Sequence, residues 1–290
     1  MATVAKRRSQ NSEGDFYVDS TCIDCDTCRW MSPETFHRTE EQSAVYHQPT
    51  TPEERLTALQ ALLSCPTASI GTTEKAKDIK AVQETFPIPI EDNVYHCGYH
   101  SELSYAAASY FIQHPDGNIL VDSPRFASPL VKRLEALGGV RWLYLTHRDD
   151  VADWRKFREH FGCTAILHAD DVSEKTRDVE MQLTGEEPVT LAADITIIPV
   201  PGHTKGHTVL LYRDKFLFTG DHLARGSSGQ HLTAFRAYCW YSWPQQIESM
   251  RKLQNYTFEW ILPGHGRRYH SDRATMQQEL AQCITWMEAH

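Results

Sequence analysis

The feature of this sequence that most restricts its fold is a set of short apolar segments that each run directly into an aspartate or a histidine. They are "LVDS" with Asp122, "LTHRDD" with His147, "VPGHTKGH" with His203 and His207, "FTGDH" with Asp221, and "LPGHG" with His265. Short apolar runs bounded by polar residues are typical of buried strands. Because strands of α/β architectures build sites where their ends meet, these side chains are predicted to converge at one sheet edge.

Helical segments alternate with these strands. "SPLVKRLEALGG" is predicted to be a helix capped by Ser128, and "VADWRKFREHFG" and "PQQIESMRKL" are predicted to be helices as well. The last segment repeats Met276, Leu280, Ile284 and Met287 at helical spacing. Mixed strands with helices outside predict an α/β fold of the αββα type, in which two sheets face each other between outer helices.

A second motif lies near the start of the chain. "CIDCDTC" places Cys22, Cys25 and Cys28 at two-residue spacing, and Cys65 follows in a distant "CP". This spacing suits an iron–sulfur cluster of the bacterial ferredoxin kind, in which Ser32 stands where the cysteine for a second cluster would be. One [4Fe–4S] cluster is therefore predicted, with a three-iron cluster as a variant. Zinc or a disulfide pair is the alternative, although zinc knuckles favour paired C-x2-C motifs.

The surrounding segments support a small α+β module. "DFYVDS" reads as a strand, "FHRTEEQSAVYHQ" as a hairpin, and a helix opens with Thr51 as N-cap and Pro52 at its first position. This stretch resembles a single-cluster bacterial-type ferredoxin. The predicted organisation is a flexible tail (residues 1–14), a ferredoxin-like domain (15–74), a linker (75–92) and a larger domain (93–290).

Charge and cysteine usage restrict the partners. The net charge is −9, and residues 15–74 hold ten acidic and three basic residues, which argues against nucleic acid and fits a basic protein partner. No apolar run is long enough to span a membrane, and the basic start lacks the apolar stretch of a secretory signal. The other cysteines are scattered, which predicts a reducing, cytoplasmic location: they are Cys97, Cys163, Cys239 and Cys283.

The strand-end motifs, in this order, resemble those of the metallo-β-lactamase superfamily over about residues 93–290. The chain is also similar to the members that carry an N-terminal ferredoxin-like module. In the superfamily the segment after "TH" reads H-x-H-x-D-H. Its first two histidines and that of "PGHT" bind one metal ion. Its aspartate and last histidine, with the histidine of the final "GH", bind the second, and the aspartate of "GD" bridges both.

This chain departs from that pattern and reads H-x-D. His147 matches the first histidine, but Asp149 replaces the second, Val151 replaces the aspartate and Ala152 replaces the last histidine. The resemblance therefore implies a first metal site with two imidazoles and carboxylates, a set that suits zinc, iron or manganese. Its implied ligands are His147, Asp149, His203 and Asp221.

The implied second site keeps Asp221 and His265 but has lost two ligands. Asp150 or Asp153 would fill the gap if the turn is shifted, although Asp153 is also a candidate cap for the following helix. One or two divalent ions, zinc or iron/manganese, are therefore expected. His207 is interpreted either as a group that holds His203 in place or as a core histidine.

The expected chemistry follows from these ligands. Asp221 is the candidate catalytic residue, because its carboxylate would orient or deprotonate a water molecule activated by the metal. The resemblance implies hydrolysis of a small-molecule thioester, lactam or phosphoester, or oxygen or peroxide chemistry with iron. The aromatic segment "RGSSGQHLTAFRAYCWYSW" is interpreted as packing on the domain, with a substrate-pocket wall as the alternative.

The fused cluster module separates the functional hypotheses. Hydrolysis needs no electrons, so the fusion favours a redox role or redox control, with an electron-transfer protein as a partner. The alternative is a non-catalytic redox-sensing or interaction protein that uses the fold as a platform. A purely structural cluster is a third hypothesis.

Overall fold

The structure is a computed structural model that describes residues 2–290. These residues divide into two compact units. One is the chain up to Gln113 together with Pro124–Gly139, and the other is His114–Ser123 together with Val140–His290. Over the same described range, every helix is too short or too polar to cross a lipid bilayer.

The first unit contains the cysteine motif and short regular elements. Its strands are β1 (Phe16–Val18), β2 (Phe36–Thr39), β3 (Gln42–Val45), β4 (Ile70–Thr72), β5 (Ile88–Glu91), β6 (Val94–His96) and β7 (Tyr110–Ile112). Its helices are α1 (Thr27–Met31), α2 (Pro52–Ser64), α3 (Ile79–Gln83) and α4 (Ser128–Ala136), with 3-10 turns at Val4–Lys6 and Glu102–Ser104. Antiparallel pairing joins β1 to β4, β2 to β3, and β5 through β6 to β7.

Helix α2 begins where the sequence predicts. Thr51 is its N-cap, and the Thr51 hydroxyl accepts from the N–H of Glu54 while the Glu54 side chain reaches back to the N-cap backbone. This reciprocal capping satisfies N–H groups that the first turn leaves open. Ala58 and Leu59 are fully buried on the inner face of the helix. The helix ends at Ser64, so Cys65 follows it directly.

Two segments predicted to lack structure contain contacts and regular elements. In the predicted tail, Arg8 is buried and donates to the carbonyls of Ser43 at 2.5 Å and Thr39 at 3.2 Å. The predicted linker contains α3 and β5, and β5 pairs with β6. The domain boundaries themselves stay a prediction.

The second unit is built from two large sheets and a separate two-stranded sheet. Its strands are β8 (Ile119–Val121), β9 (Trp142–Tyr144), β10 (Thr164–His168), β11 (Met181–Leu183), β12 (Val189–Ala192), β13 (Ile195–Pro199), β14 (Thr208–Tyr212), β15 (Phe216–Gly220), β16 (Ala224–Arg225), β17 (Leu232–Thr233), β18 (Trp260–Pro263) and β19 (Tyr269–His270). Its helices are α5 (Trp154–Phe161), α6 (Trp243–Leu253) and α7 (Arg273–Ala289), with 3-10 turns at Ala169–Asp171 and Arg236–Tyr238.

The two sheets differ in pairing. Strands β8, β9, β10 and β11 pair with one another in this order, and all three pairings are parallel. The other sheet has the order β12-β13-β14-β15-β18-β19 and is antiparallel except between β15 and β18. Arg213 and Asp214 both have positive φ in the tight turn between β14 and β15, and the N–H of Lys215 closes this turn by donating to the carbonyl of Tyr212 at 3.1 Å.

Alternate residues of β14 face different layers, because successive side chains of a strand point to opposite faces. Val209 and Leu211 belong to the apolar cluster that includes residues of α6 and α7. On the opposite face, the hydroxyl of Thr208 lies 2.7 Å from the hydroxyl of Tyr144 in β9. Helix α5 packs against β9. The layers are therefore helix, sheet, sheet and helix, and the predicted αββα fold class is confirmed.

One helix boundary was wrong by one position. Ser128 was predicted to cap α4 but is its first helical residue, and Ala127 occupies the N-cap without a side-chain hydrogen bond. Pro129 still lies in the first turn, where its missing N–H costs nothing. In α7 the predicted face of Met276, Leu280, Ile284 and Met287 is buried.

Candidate metal centre and cluster-binding loop

The loop that carries the first three predicted cluster ligands is tightly bent. Asp24 and Asp26, which alternate with the cysteines, have φ values of 58° and 66°, in the left-handed region. Arg29 of α1 reaches back and donates to both carboxylates at 2.5 Å. The arginine thus fixes a loop conformation that L-residues adopt only at some cost.

The thiols of the four predicted ligands influence one another. Burial raises the pKa of Cys25 to about 11, and the thiols of Cys65 and Cys22 add to the rise. Burial also raises the pKa of Cys28 well above its usual range, and the other three thiols act on it in the same direction. Buried thiols that converge in this way ionise readily only beside a cation, which fits the iron atoms of a cluster.

In the second unit, the predicted ligands follow the ends of neighbouring strands. Asp122 follows β8, His147 lies just beyond β9, His203 beyond β13, Asp221 after β15 and His265 after β18. His147, His203 and Asp221 are buried and His265 is partly exposed. The geometry brings the last four of these side chains together, as the strand ends predicted.

A first group of donor atoms surrounds Asp149. Its Oδ2 lies 3.3 Å from Nε2 of His203 and 3.9 Å from Nε2 of His147. Both Nε2 atoms are also 3.8 Å from Oδ2 of Asp221. Two ligands bound to zinc at roughly 2.1 Å are about 3.4 Å apart at the tetrahedral angle. The group therefore has the spacing of a metal site, and His147, Asp149 and His203 could hold one ion.

A second group is formed by Asp150, Asp221 and His147. Oδ2 of Asp150 lies 4.0 Å from Nε2 of His147 and 3.9 Å from Nδ1 of His265. Nδ1 of His265 is 2.7 Å from Oδ1 of Asp221. Asp150 is 1% exposed, and its Oδ2 has no hydrogen-bond partner. A buried carboxylate oxygen in this situation is costly unless a cation or a proton satisfies it.

Burial and the neighbouring charges shift the pKa values of the acids and imidazoles in this centre. Burial, together with the charge of Asp221, raises the pKa of Asp150 well above its usual range. For Asp221, burial alone would raise the pKa, but His265 and then His147 outweigh it and lower the pKa. Burial lowers the pKa of His147 to about 4. A neutral imidazole is a suitable metal ligand. A carboxyl group is suitable as well, because it would lose its proton when a cation binds.

The turn after β9 places only one of the two candidate aspartates, Asp150 and Asp153, close to the imidazoles. Asp150 faces His147 and His265, whereas Val151 is buried without a donor atom. Asp153 occupies the N-cap position of α5, but its side chain makes no capping bond and pairs with Lys156 at 2.8 Å. Of the two candidates, the structure thus brings Asp150 to the centre and leaves Asp153 at the helix start. Their roles as ligands stay a prediction.

His207 lies behind the ligands. Its ring stacks on that of His147 at 4.7 Å, and its Nε2 accepts from the N–H of Asp221 at 3.2 Å. Gly220 makes this approach possible, because a Cβ there would lie 2.9 Å from Nε2 of His207, and its φ of 49° also favours glycine. His207 therefore positions His147 and Asp221.

Asp122 supports the same strand ends. Its carboxylate accepts from the N–H of Thr146 at 2.8 Å and from the Thr146 hydroxyl at 3.0 Å, which fixes the residue before His147. Burial raises the pKa of Asp122 to about 7. Its φ of 55° is unusual for a non-glycine residue and turns the chain after β8.

Asp171 is a supporting residue that the sequence analysis missed. It is 1% exposed and accepts from the Thr204 hydroxyl at 2.5 Å, from the N–H of Gly206 at 2.9 Å and from the N–H of Arg148 at 3.1 Å. It thus ties the loop after His147 to the loop after His203. The available signal was "HADD", another apolar strand that ends in acids.

The aromatic segment borders the centre. The N–H groups of Trp240 and Tyr241 donate to the carbonyl of His203 at 2.9 and 3.2 Å. Yet the Trp240 side chain is 58% exposed and that of Tyr238 59% exposed, with ring centroids 6.0 Å apart. The segment is fixed through its backbone while its rings remain accessible. His222, which follows Asp221, is fully buried, and neither of its ring nitrogens has a hydrogen-bond partner.

The second unit is an αββα sandwich whose strand ends carry imidazoles and carboxylates that could hold a metal ion. Residues 93–284 match the family model described as "Metallo-beta-lactamase superfamily". The chain belongs to this superfamily, and the predicted resemblance is confirmed. Residues 18–72 match the model described as "4Fe-4S single cluster domain of Ferredoxin I", which supports the predicted cluster.

Individual relatives are more distant. The hydroxyacylglutathione hydrolase of Citrobacter koseri is 27% identical over 129 residues, which are 42% of this chain and 49% of that protein. The chain thus spans about half the length of the curated relatives it matches. The DIM-1 metallo-β-lactamase has a TM-score of 0.55 at 17% identity, covering 69% of this chain and 95% of that one. FIM-1 from Pseudomonas aeruginosa, in its mono-zinc form, has a TM-score of 0.52 at 18% identity, covering 68% and 93%. These structures show the fold alone.

Proposed function

We propose that this protein is a metal-dependent hydrolase that cleaves a thioester or ester of a small molecule. The observation that carries the proposal is the buried Asp150, whose unpartnered oxygen lies between His147 and His265 and beside Asp221. Burying a carboxyl group without a partner is unfavourable unless a cation binds to it, so the buried Asp150 supports a metal ion at this position. The hydroxyacylglutathione hydrolases among the relatives support a thioester as the substrate class.

The residues divide between two adjacent positions. His147, Asp149 and His203 would hold one ion, Asp150 and His265 would hold a second, and Asp221 would face both. A bound divalent ion would polarise the substrate carbonyl and lower the pKa of a water ligand. The donor set has no thiolate, and imidazoles with carboxylates suit zinc, iron or manganese.

The protein's own side chains would orient the water, accept its proton and contact the substrate. The carboxylate of Asp221 stays ionised at neutral pH and would orient the attacking water or accept its proton. His207 holds the backbone of that residue by accepting from its N–H, and Nδ1 of His265 lies 2.7 Å from the carboxylate itself. The exposed ring of Trp240, next to His203, would contact the acyl group or thiol portion of the substrate.

Replacing Trp240 with alanine is expected to raise KM about tenfold while changing kcat little. The lost contact is roughly half the burial of a large aromatic side chain, or about 1.4 kcal/mol. Steady-state kinetics with a thioester such as an S-acylglutathione would measure it. Trp286→Ala removes a tryptophan of α7, 40% exposed and outside the centre, and should leave KM unchanged. An unaltered KM in Trp240→Ala would instead support the interpretation that the aromatic segment only packs on the domain.

The proposed function is tested by metal analysis combined with turnover. Anaerobically purified protein is expected to contain zinc, iron or manganese beyond the iron of its cluster, and to hydrolyse thioesters or esters. A chelator should abolish turnover and added metal should restore it, while the visible absorbance of the cluster is followed in parallel. Protein that carries only cluster iron and cleaves none of these substrates would overturn the proposal and favour the non-catalytic sensing or interaction platform.

A second candidate is a non-haem iron oxidoreductase. The specific observation in its favour is the carboxylate of Asp149 at a histidine position, combined with a cluster domain on the same chain. Iron in the centre, and reduction of oxygen or peroxide that depends on the cluster, would favour this candidate. Zinc with thioester turnover would favour the hydrolase.

We also propose that the iron–sulfur module exchanges electrons with an electron-transfer protein. Its excess of acidic residues supports a partner with a basic surface. The absence of disulfides among the cysteines of residues 2–290 supports a cytoplasmic setting.

A further inference from the structure

Three hydroxyl side chains in the first unit connect a buried carboxylate to one of the predicted cluster ligands. Asp19 directly follows β1, and Ser69 directly precedes β4, its antiparallel partner. The N–H of Asp19 donates to the carbonyl of Ser69 at 2.8 Å, which extends this pairing. The segment before Cys22 and the segment after Cys65 therefore lie side by side, although Thr21 and Ser69 are 48 residues apart along the chain.

The contacts begin at the Asp19 carboxylate and end at the sulfur of Cys65. Oδ1 of Asp19 lies 2.5 Å from the hydroxyl of Thr21, which lies 2.6 Å from the hydroxyl of Ser69. The Ser69 hydroxyl lies 2.7 Å from that of Thr67, and the Thr67 hydroxyl lies 3.7 Å from Sγ of Cys65. We call Thr21, Ser69 and Thr67 the hydroxyl series. Because each hydroxyl has a single proton to donate, the group at one end fixes the direction of all three.

Asp19 is the end that only accepts. The residue is 2% exposed, its Oδ2 accepts from the N–H of Thr3 at 3.0 Å, and its Oδ1 accepts from the N–H of Thr21 at 3.0 Å. Burial by itself would raise the pKa of Asp19, but the donors of Thr21 and Thr3, together with Lys6, outweigh it and lower the pKa. Asp19 is therefore ionised at neutral pH, and an ionised carboxylate has no proton to donate.

The proton of each hydroxyl follows from this end. The Thr21 O–H donates to Asp19, so the Thr21 oxygen accepts from the Ser69 O–H. The Ser69 oxygen accepts in turn from the Thr67 O–H. All three protons point in the direction of Asp19, and none is left for Cys65. The N–H of Ser69, 3.3 Å from Sγ of Cys65, is the donor that reaches this sulfur from the same segment.

We propose that Asp19 keeps the reduction potential of the cluster low by turning the hydroxyl series away from Cys65. A donor to a ligating sulfur stabilises the cluster more strongly after it gains an electron, because the sulfur then carries more negative charge. The Thr67 hydroxyl is within reach of the sulfur but directs its proton to Ser69, so this stabilisation is withheld. Asp19 is thus a positioning residue that acts on the cluster through the hydroxyl series. The inference deepens the electron exchange proposed above and rests on the cluster in that proposal.

The first test is Thr21→Val in the full-length protein that contains its cluster. Valine has the shape of threonine but cannot accept from Ser69, whose O–H then turns to the Thr67 oxygen and releases the Thr67 proton to the sulfur. Reduction is expected to become about tenfold more favourable, which raises the potential by about 59 mV for one electron. Titration with dithionite and redox mediators at neutral pH, followed by electron paramagnetic resonance, would measure the potential.

Thr67→Val separates this orientation from an ordinary hydrogen bond to the sulfur. Alone, it should not lower the potential, because the Thr67 proton of the wild-type protein points to Ser69. Combined with Thr21→Val, it should cancel the rise, because the released donor is then missing. The matched control is Thr73→Val, which removes another threonine of the first unit whose hydroxyl donates to an aspartate, Asp15, at 2.9 Å. This control should leave the potential unchanged.

A lowered potential in Thr67→Val would show that this hydroxyl donates to the sulfur and would overturn the proposal. A wild-type potential in Thr21→Val, or a rise that persists in the double variant, would overturn it as well. Iron and sulfide analysis must show equal cluster content in all variants. If Thr21→Val loses the cluster, Asp19→Asn replaces it and should also raise the potential, because the charge that orients the series is removed. The titration needs neither a partner protein nor turnover, so its result is independent of the proposed hydrolysis and of the proposed partner.

Discussion

Replacing Asp221 with asparagine is expected to remove most of the metal from the second unit and to lower kcat/KM for a thioester on the order of 10³-fold. The Asp221 carboxylate faces His147, His203 and His265 at 2.7 to 3.8 Å, so the substitution removes an acid that approaches all three imidazoles. An amide of the same shape carries no charge to balance a cation. Elemental analysis and initial rates, measured on the same preparation, would give both quantities.

The matched control for this prediction is Asp170→Asn. Asp170 lies at the end of the neighbouring strand β10, but its carboxylate pairs with Lys205 at 2.9 Å and is 41% exposed. Metal content and rate should both stay within a factor of about two of the wild-type values, because an exposed ion pair contributes little. Full metal content in Asp221→Asn, with normal turnover, would mean that the strand-end side chains do not form a working centre.

Replacing Cys25 with alanine is expected to abolish the cluster and to destabilise the first unit. Burial raises the pKa of the remaining Cys28 thiol well above its usual range, so this group would be left buried without a cation. A site of this kind contributes its binding free energy to folding. Iron and sulfide analysis would report the cluster, and calorimetry of the full-length protein would report a lowered unfolding transition.

Cys239→Ala serves as the control, because this cysteine lies in the aromatic segment and donates only to the carbonyl of Gly202. It should retain four irons in the cluster. Retention of the cluster in Cys25→Ala would show that the "CIDCDTC" spacing has been assigned wrongly. The turnover of Cys25→Ala separates the hypotheses for the cluster: unchanged hydrolysis indicates a structural role, and lost or redox-insensitive hydrolysis indicates control by the cluster.

Much of the second unit could be predicted because its signals are local. Five apolar strands that end in Asp122, His147, His203, Asp221 and His265 indicate both the sheet edge and the residue types that meet there. The helical spacing in α7 predicts its buried face in the same way. In the first unit, the cysteine spacing and the cap at Thr51 predict a cluster loop followed by a helix that leads to Cys65.

The details of the centre depended on contacts between distant segments. "HRDD" offers neighbouring acids, and spacing alone did not determine which oxygen faces the imidazoles, because one residue of shift in a turn redirects every following side chain. In the structure Asp150 faces His147 and His265, and the chain then turns at Ala152, whose φ is 29°, so that Asp153 lies at the start of α5. Asp171 was missed for the same reason, since its partners are 23 to 35 residues away along the chain.

The sequence by itself determined the strands and helices, the cluster motif and the family, because periodicity, capping and ligand spacing act over a few residues. Only the tertiary structure decided that Asp150 faces His147 and His265, and that His207 holds the backbone of Asp221. These relations follow from how burial brings together segments that are far apart in the chain, and no local pattern records that placement.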